Sequence, residues 1–135
     1  MPNRRKFNKF TIIIELMTGL VNLEIDPKDK RIAWIRLQNP EKLNVLNHAY
    51  MDELESVLVE ADRDNEIQAI LITGTERVFC AGADLSELMN LSFEEGVKWF
   101  SKYYTIIDLL RSTSKPTVAV VRGVCVGGER DGNGL

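Results

Sequence analysis

The segment Arg77-Val-Phe-Cys-Ala-Gly-Ala-Asp-Leu85 most constrains this chain. It follows an apolar strand candidate, Gln68–Thr73, and precedes helix-like sequence. Gly82 lies between two alanines, so little side chain separates the backbone from anything that docks there, and glycine accepts backbone angles that other residues resist. A strand that turns through small residues into a helix leaves N–H groups pointing out of the turn, and these suit a partly negative oxygen. The same residues also fit a tight turn packed for steric reasons alone.

The flanking sequence places this turn in an α/β context. Phe10–Leu16 is rich in Ile and reads as a strand. Leu20–Ile25 alternates, with Val21, Leu23 and Ile25 forming an apolar face. Asp26-Pro-Lys-Asp29 is turn chemistry, and Arg31–Leu37 reads as a third strand. Three strands joined by short turns predict an antiparallel meander. After Asn39-Pro40, Asn47 is placed to cap a helix running to about Asp64. Its buried stripe is Met51, Leu54, Val57, Leu58 and Ala61.

Gln68–Thr73 is apolar without alternation, as expected for a strand buried on both faces. Leu85–Met89 follows as a helical turn. Ser92 with Glu95 forms a capping box for a helix reaching about Ser112, and Phe93, Val97, Phe100, Tyr104 and Ile107 supply its expected core stripe. Lys115-Pro116 stops that helix, and Thr117–Val121 is a second buried strand leading to a turn at Gly123. The plan of strand, glycine turn and helix thus occurs twice, without a sequence repeat or an inter-domain linker.

Composition narrows the function classes. A length of 135 residues is one domain's worth of chain. The net charge of −3 argues against a nucleic-acid surface, and the Arg4-Arg5-Lys6 cluster is too short to reverse that. The apolar run after it is too short for a signal peptide, and no stretch reaches transmembrane length. Two cysteines, Cys80 and Cys125, and the single histidine, His48, make a metal site an unfavoured expectation. The cysteines read as small buried thiols of a cytoplasmic protein, and His48 as a surface or capping residue. A P-loop and an early G-x-G-x-x-G are both absent, which argues against a nucleotide-binding α/β domain.

Three stretches, in order, resemble the signatures of the crotonase, or enoyl-CoA hydratase/isomerase, superfamily. They are Arg36-Leu-Gln-Asn-Pro-Glu-Lys-Leu-Asn-Val-Leu46, Val78-Phe-Cys-Ala-Gly-Ala-Asp-Leu85 and Lys115-Pro-Thr-Val-Ala-Val-Val-Arg-Gly-Val-Cys-Val-Gly-Gly128. The likeness implies the N-terminal part of a single crotonase-like ββα spiral, truncated to about half a typical member. Residues 1–18 would be an extension with a first strand, residues 19–128 the matching part and residues 129–135 a divergent tail. It further implies an acyl-CoA thioester as substrate, with no permanently bound cofactor, and trimers or hexamers in full-length members.

By the same resemblance, the amides of Ala83 and Gly128 form an oxyanion hole for the thioester, and Lys42, Leu43, Ala81, Asp84 and Leu85 line the CoA. Hydratases of the family carry a glutamate in a G-G-G-x-E run and a second one further along. Counted without a gap, Asp131 takes the first acid's place and Glu129 replaces a glycine. Counted with Glu129–Asp131 as an insertion, that position falls on Gly134. The second acid would lie beyond Leu135. Hydration of a 2-enoyl-CoA is the expected reaction. The alternative is an inactive fragment of the fold, or a module that binds acyl-CoA or a partner without turnover.

Overall fold

A computed structural model describes residues 19–127. The expected strand Phe10–Leu16 lies outside the described residues, as do Gly128 and the tail with Asp131. The chain runs β1 (Val21–Ile25), β2 (Ile32–Leu37), a 3-10 turn (Pro40–Lys42), α1 (His48–Arg63), β3 (Ala69–Thr73), β4 (Val78–Cys80), α2 (Leu85–Leu88), α3 (Phe93–Ser112), β5 (Thr117–Val120) and β6 (Val124–Cys125).

The β1–β2 hairpin closes on one carboxylate. Asp26 accepts from the amides of Lys28 and Asp29, at 2.8 and 2.9 Å, and from the Trp34 indole at 2.9 Å. The antiparallel register sets Val21 opposite Leu37 and Ile25 opposite Ala33. β2, β3 and β5 are mutually parallel, in the order β1-β2-β3-β5. Parallel neighbours need a crossover: α1 carries the chain from β2 to β3, and β4, α2 and α3 carry it from β3 to β5. β4 and β6 form a second, parallel sheet of two strands.

The repeating plan therefore differs from the one expected. Each return from the large sheet adds a short strand to the small one: β4 comes before the Gly82 turn, and β6 comes after the Gly123 turn. Strands of three and two residues are too short to show alternation, and so escape a periodicity reading. The crossing into β6 depends on Gly123. Its φ is +66°, and a Cβ there would lie 2.0 Å from the carbonyl oxygen of Arg77, which already accepts from Val124 N–H at 2.9 Å.

The core lies between the large sheet and α1, with α3 closing its side. Ala33, Ile35 and Leu37 of β2 and Ile70 and Ile72 of β3 meet Tyr50, Met51, Leu54, Leu58 and Ala61 of α1. The expected α1 stripe is present, with Val57 only partly buried and Tyr50 fully buried. Asn47 caps the helix, its side chain accepting from Tyr50 N–H at 2.9 Å. At the other end Lys115 donates to the carbonyls of Ala61 and Asp64, both at 2.6 Å. A cation bonded to the last carbonyls of a helix is stabilising. Lys115→Met is expected to lower the unfolding free energy by about 1 kcal/mol, read as a lower urea midpoint at unchanged slope.

Two expectations are corrected. The stripe Phe93, Val97, Phe100 and Tyr104 is not core: Phe93 is 90% exposed and Tyr104 62%. α3 turns Trp99 and Ile106 inward instead, with Tyr103, Leu109 and Leu110 partly buried beside them. The helix carries two apolar faces, and periodicity does not say which one meets a neighbour. Lys102 settles the matter: it bridges Asp52 and Glu55 of α1, which fixes the side of α3 that packs. β5 is likewise not buried on both faces. Val118 is half exposed, and among the described residues β5 stands at the edge of the sheet.

Several carboxylates at turns and caps are held below their ordinary range. Asp26 is lowered chiefly by the Trp34 indole, and Asp29, lowered to about 2, chiefly by the Arg31 guanidinium. Asp52 is lowered chiefly by Lys102 and Glu95 by the Ser92 amide it caps. A carboxylate whose folded pKa is depressed contributes stability above its unfolded value, and that stability is lost as pH falls through the folded value. The melting temperature is therefore expected to stay level from neutral pH to about 5, then fall between about 4.5 and 2. A thermal melt series across that range measures it.

Candidate active site

β4 delivers the chain into the turn Cys80-Ala81-Gly82-Ala83-Asp84, and that turn is strapped to residues 43–46. Ala81 N–H donates to Leu43 O at 3.1 Å, Leu46 N–H to Gly82 O at 2.7 Å and Asp84 N–H to Leu46 O at 2.8 Å. The strap itself needs an unusual backbone: Leu43 and Asn44 have φ values of 55° and 51°. Asn44 stabilises it from within. Its side-chain oxygen accepts from Asn39 N–H at 2.6 Å, and its amide nitrogen donates to the carbonyls of Leu37, Val78 and Phe79 at 3.1–3.3 Å. The residue is fully buried, and its own carbonyl accepts from the Cys80 thiol. Asn44 thereby ties the end of β2 to β4. It was not singled out from sequence; its one signal is that asparagine tolerates the left-handed region better than most residues.

Gly82 is the other fixed point. Its φ is +94°, and a Cβ would lie 3.3 Å from Val126 O and 3.4 Å from Gly127 Cα. The chain leaving β6 thus passes directly against this turn. The Gly82–Ala83 peptide is trans, and its carbonyl is bound to Leu46. Its N–H therefore points away from Leu46, and among the described residues the Ala83 amide donates no hydrogen bond. An N–H on a rigid turn with no acceptor of its own is the kind of donor that stabilises an oxyanion.

Of the other residues expected here, Leu43 and Leu85 are largely exposed, at 52% and 70%. Ala81 is half buried within the turn, and Lys42 is exposed. Asp84 caps α2, accepting from the amides of Ser86 and Glu87 at 3.1 and 3.3 Å. Its pKa is lowered, first by the Ser86 hydroxyl and last by the charge of Lys42, so those two residues share one neighbourhood. The carboxylate of Asp84 thus orders the turn. Behind α2, Glu87 accepts from His48 N–H and from the Trp99 indole, both at 2.9 Å, joining α1, α2 and α3. His48 is a half-exposed residue at the helix start, 3.7 Å from Asp52. Cys80 and Cys125 are register partners in the β4–β6 pair and form no disulfide with each other. Among the described residues no three metal-binding side chains gather, and no helix is long and apolar enough to cross a membrane.

A family profile described as enoyl-CoA hydratase/isomerase matches residues 27–132. The chain belongs to that family. It is 37% identical over 101 residues to a probable enoyl-CoA hydratase of Mycobacterium bovis, covering 75% of this chain and 38% of the relative. It is also similar to the mitochondrial Delta(3,5)-Delta(2,4)-dienoyl-CoA isomerase of Mus musculus, 28% identical over 121 residues, covering 82% of this chain and 37% of that one. The solved enoyl-CoA hydratase of Thermoplasma volcanium superposes with a TM-score of 0.73 at 29% identity, covering 80% of this chain and 42% of that structure. The crotonase-like architecture is therefore the right one, and the chain spans less than half the length of these enoyl-CoA hydratase/isomerase relatives.

Proposed function

We propose that this chain supplies the acyl-CoA-binding and oxyanion-stabilising part of an enoyl-CoA hydratase/isomerase-type enzyme, with hydration of a 2-enoyl-CoA as the reaction. The observation that carries the reading is the Ala83 amide, held on a rigid turn and left without an acceptor among the described residues. Attack on, or proton loss beside, a thioester places negative charge on its carbonyl oxygen. Ala83 N–H donates to that oxygen, and Gly128 is its expected companion. The run of chain past Gly82 at Val126 and Gly127 supports that pairing, since it brings the segment just before Gly128 against the first turn.

The CoA portion lies along the strap and the start of α2. Lys42 faces its phosphates, Leu43 and Leu85 offer exposed apolar surface, and Ala81 leaves room for close approach. Asp84 acts through the turn it caps. Asp131 is the proposed general acid/base of this segment. Residues 1–135 are accordingly the N-terminal portion of one crotonase-like domain.

Turnover of crotonyl-CoA, followed as loss of the enoyl absorbance, tests the reading alongside CoA binding by calorimetry. Binding with turnover is the expected result. Binding without turnover assigns this chain to acyl-CoA capture alone, and absence of both overturns the proposal.

A further inference from the structure

Away from the Ala83 turn, the outer face of the large sheet ends in a cavity of about 410 Å³. Trp34 and Arg36 come from β2, Thr73 from β3 and Val120 from β5; Glu76 and Arg122 come from the loops that follow β3 and β5. The three strands are parallel, and Arg36, Thr73 and Val120 stand at or next to their carboxyl ends. Ligands of open parallel sheets bind outside those ends, and the volume falls in the range of small-molecule sites.

The charges in the cavity are specific. Arg36 is held in place: its Nε donates to Glu24 at 2.6 Å, and its guanidinium lies 5.2 Å from the centre of the Trp34 ring. Among the described residues its terminal nitrogens make no hydrogen bond, and Arg122 pairs with no carboxylate. The hydroxyls of Thr73 and Thr75 donate to the carbonyls of Val120 and Val78. Recognition therefore falls to the two guanidiniums. Glu76, exposed and also without an ion-pair partner among the described residues, is the one carboxylate among the described lining residues.

We propose that this cavity binds a small oxyanion, of phosphate or carboxylate type, between Arg36 and Arg122. A guanidinium fixed by a carboxylate and an indole is pre-organised, and its remaining N–H groups match the oxygens of either anion. None of these residues belongs to the Ala83 turn, so the site stands independently of the acyl-CoA reading.

The test titrates the 135-residue chain with inorganic phosphate and, separately, with succinate, following the backbone amide signals of residues 73–76 by NMR. Saturable shifts with either probe support the site and identify its anion class. Arg122→Ala is expected to weaken binding at least about tenfold, the usual scale for a lost charged hydrogen bond, and Glu76→Gln is expected to tighten it. Both side chains are exposed, so both variants keep the fold. Shifts that do not saturate with either probe, or an Arg122→Ala protein that binds as well as the parent, overturn the proposal.

Discussion

Replacing Asn44 with leucine is expected to lower the unfolding free energy by about 4 kcal/mol, combining the cost of buried unsatisfied groups with that of a non-glycine, non-asparagine residue in the left-handed region. The substitution leaves Asn39 N–H and three carbonyls without the side chain that serves them, at a position with no solvent access. It also forces a branched side chain to hold φ near 51°. Domains of this size have only about 5–15 kcal/mol in hand, so the effect is a large share of the total. Asn44→Gly separates the two contributions, because glycine accepts the backbone angle yet supplies no hydrogen bonds. It is expected to regain about 1 kcal/mol of the loss. Urea unfolding of the three proteins measures both terms; a leucine variant within 1 kcal/mol of the parent, an effect typical of ordinary surface changes, would sink the clamp.

The second large effect is catalytic. Ala83→Pro removes the Ala83 N–H and leaves in place the groups that bond Leu46 to Gly82 and Asp84 to Leu46. Loss of one oxyanion donor typically costs about 2.7–4 kcal/mol of transition-state stabilisation, or about 100- to 1000-fold in kcat. Turnover of crotonyl-CoA by the enzyme is expected to fall by that factor, with CoA affinity by calorimetry unchanged. A proline variant that keeps its kcat would remove Ala83 from the mechanism. A variant that loses CoA affinity in step with kcat would assign the turn to binding rather than to charge stabilisation.

The elements that could be read from sequence are those set by local chemistry. Asn47 and the Ser92–Glu95 pair mark helix starts because a side chain bonds an amide within the same turn. Asp26 marks the hairpin for the same reason. The Gly82 turn was legible because its backbone angle restricts the residue type directly. What could not be read depends on partners distant in the chain. β4 and β6 are strands only because each supplies the other with a neighbour. Asn44 reaches across more than thirty residues of sequence to Val78 and Phe79. The choice between the two apolar faces of α3 waits on where α1 presents Asp52 and Glu55.

The sequence by itself determined the lineage, the longer strands and helices in their order, and a tight turn around Gly82. These follow from side chains acting on their own neighbours and from backbone angles only certain residues accept. Only the tertiary structure decided which way the Ala83 amide points, which surface of α3 meets the core, and that two arginines from separate segments line one cavity. Each of these is a relation between groups far apart in the chain, fixed by packing and hydrogen bonds that exist only once the sheet has formed.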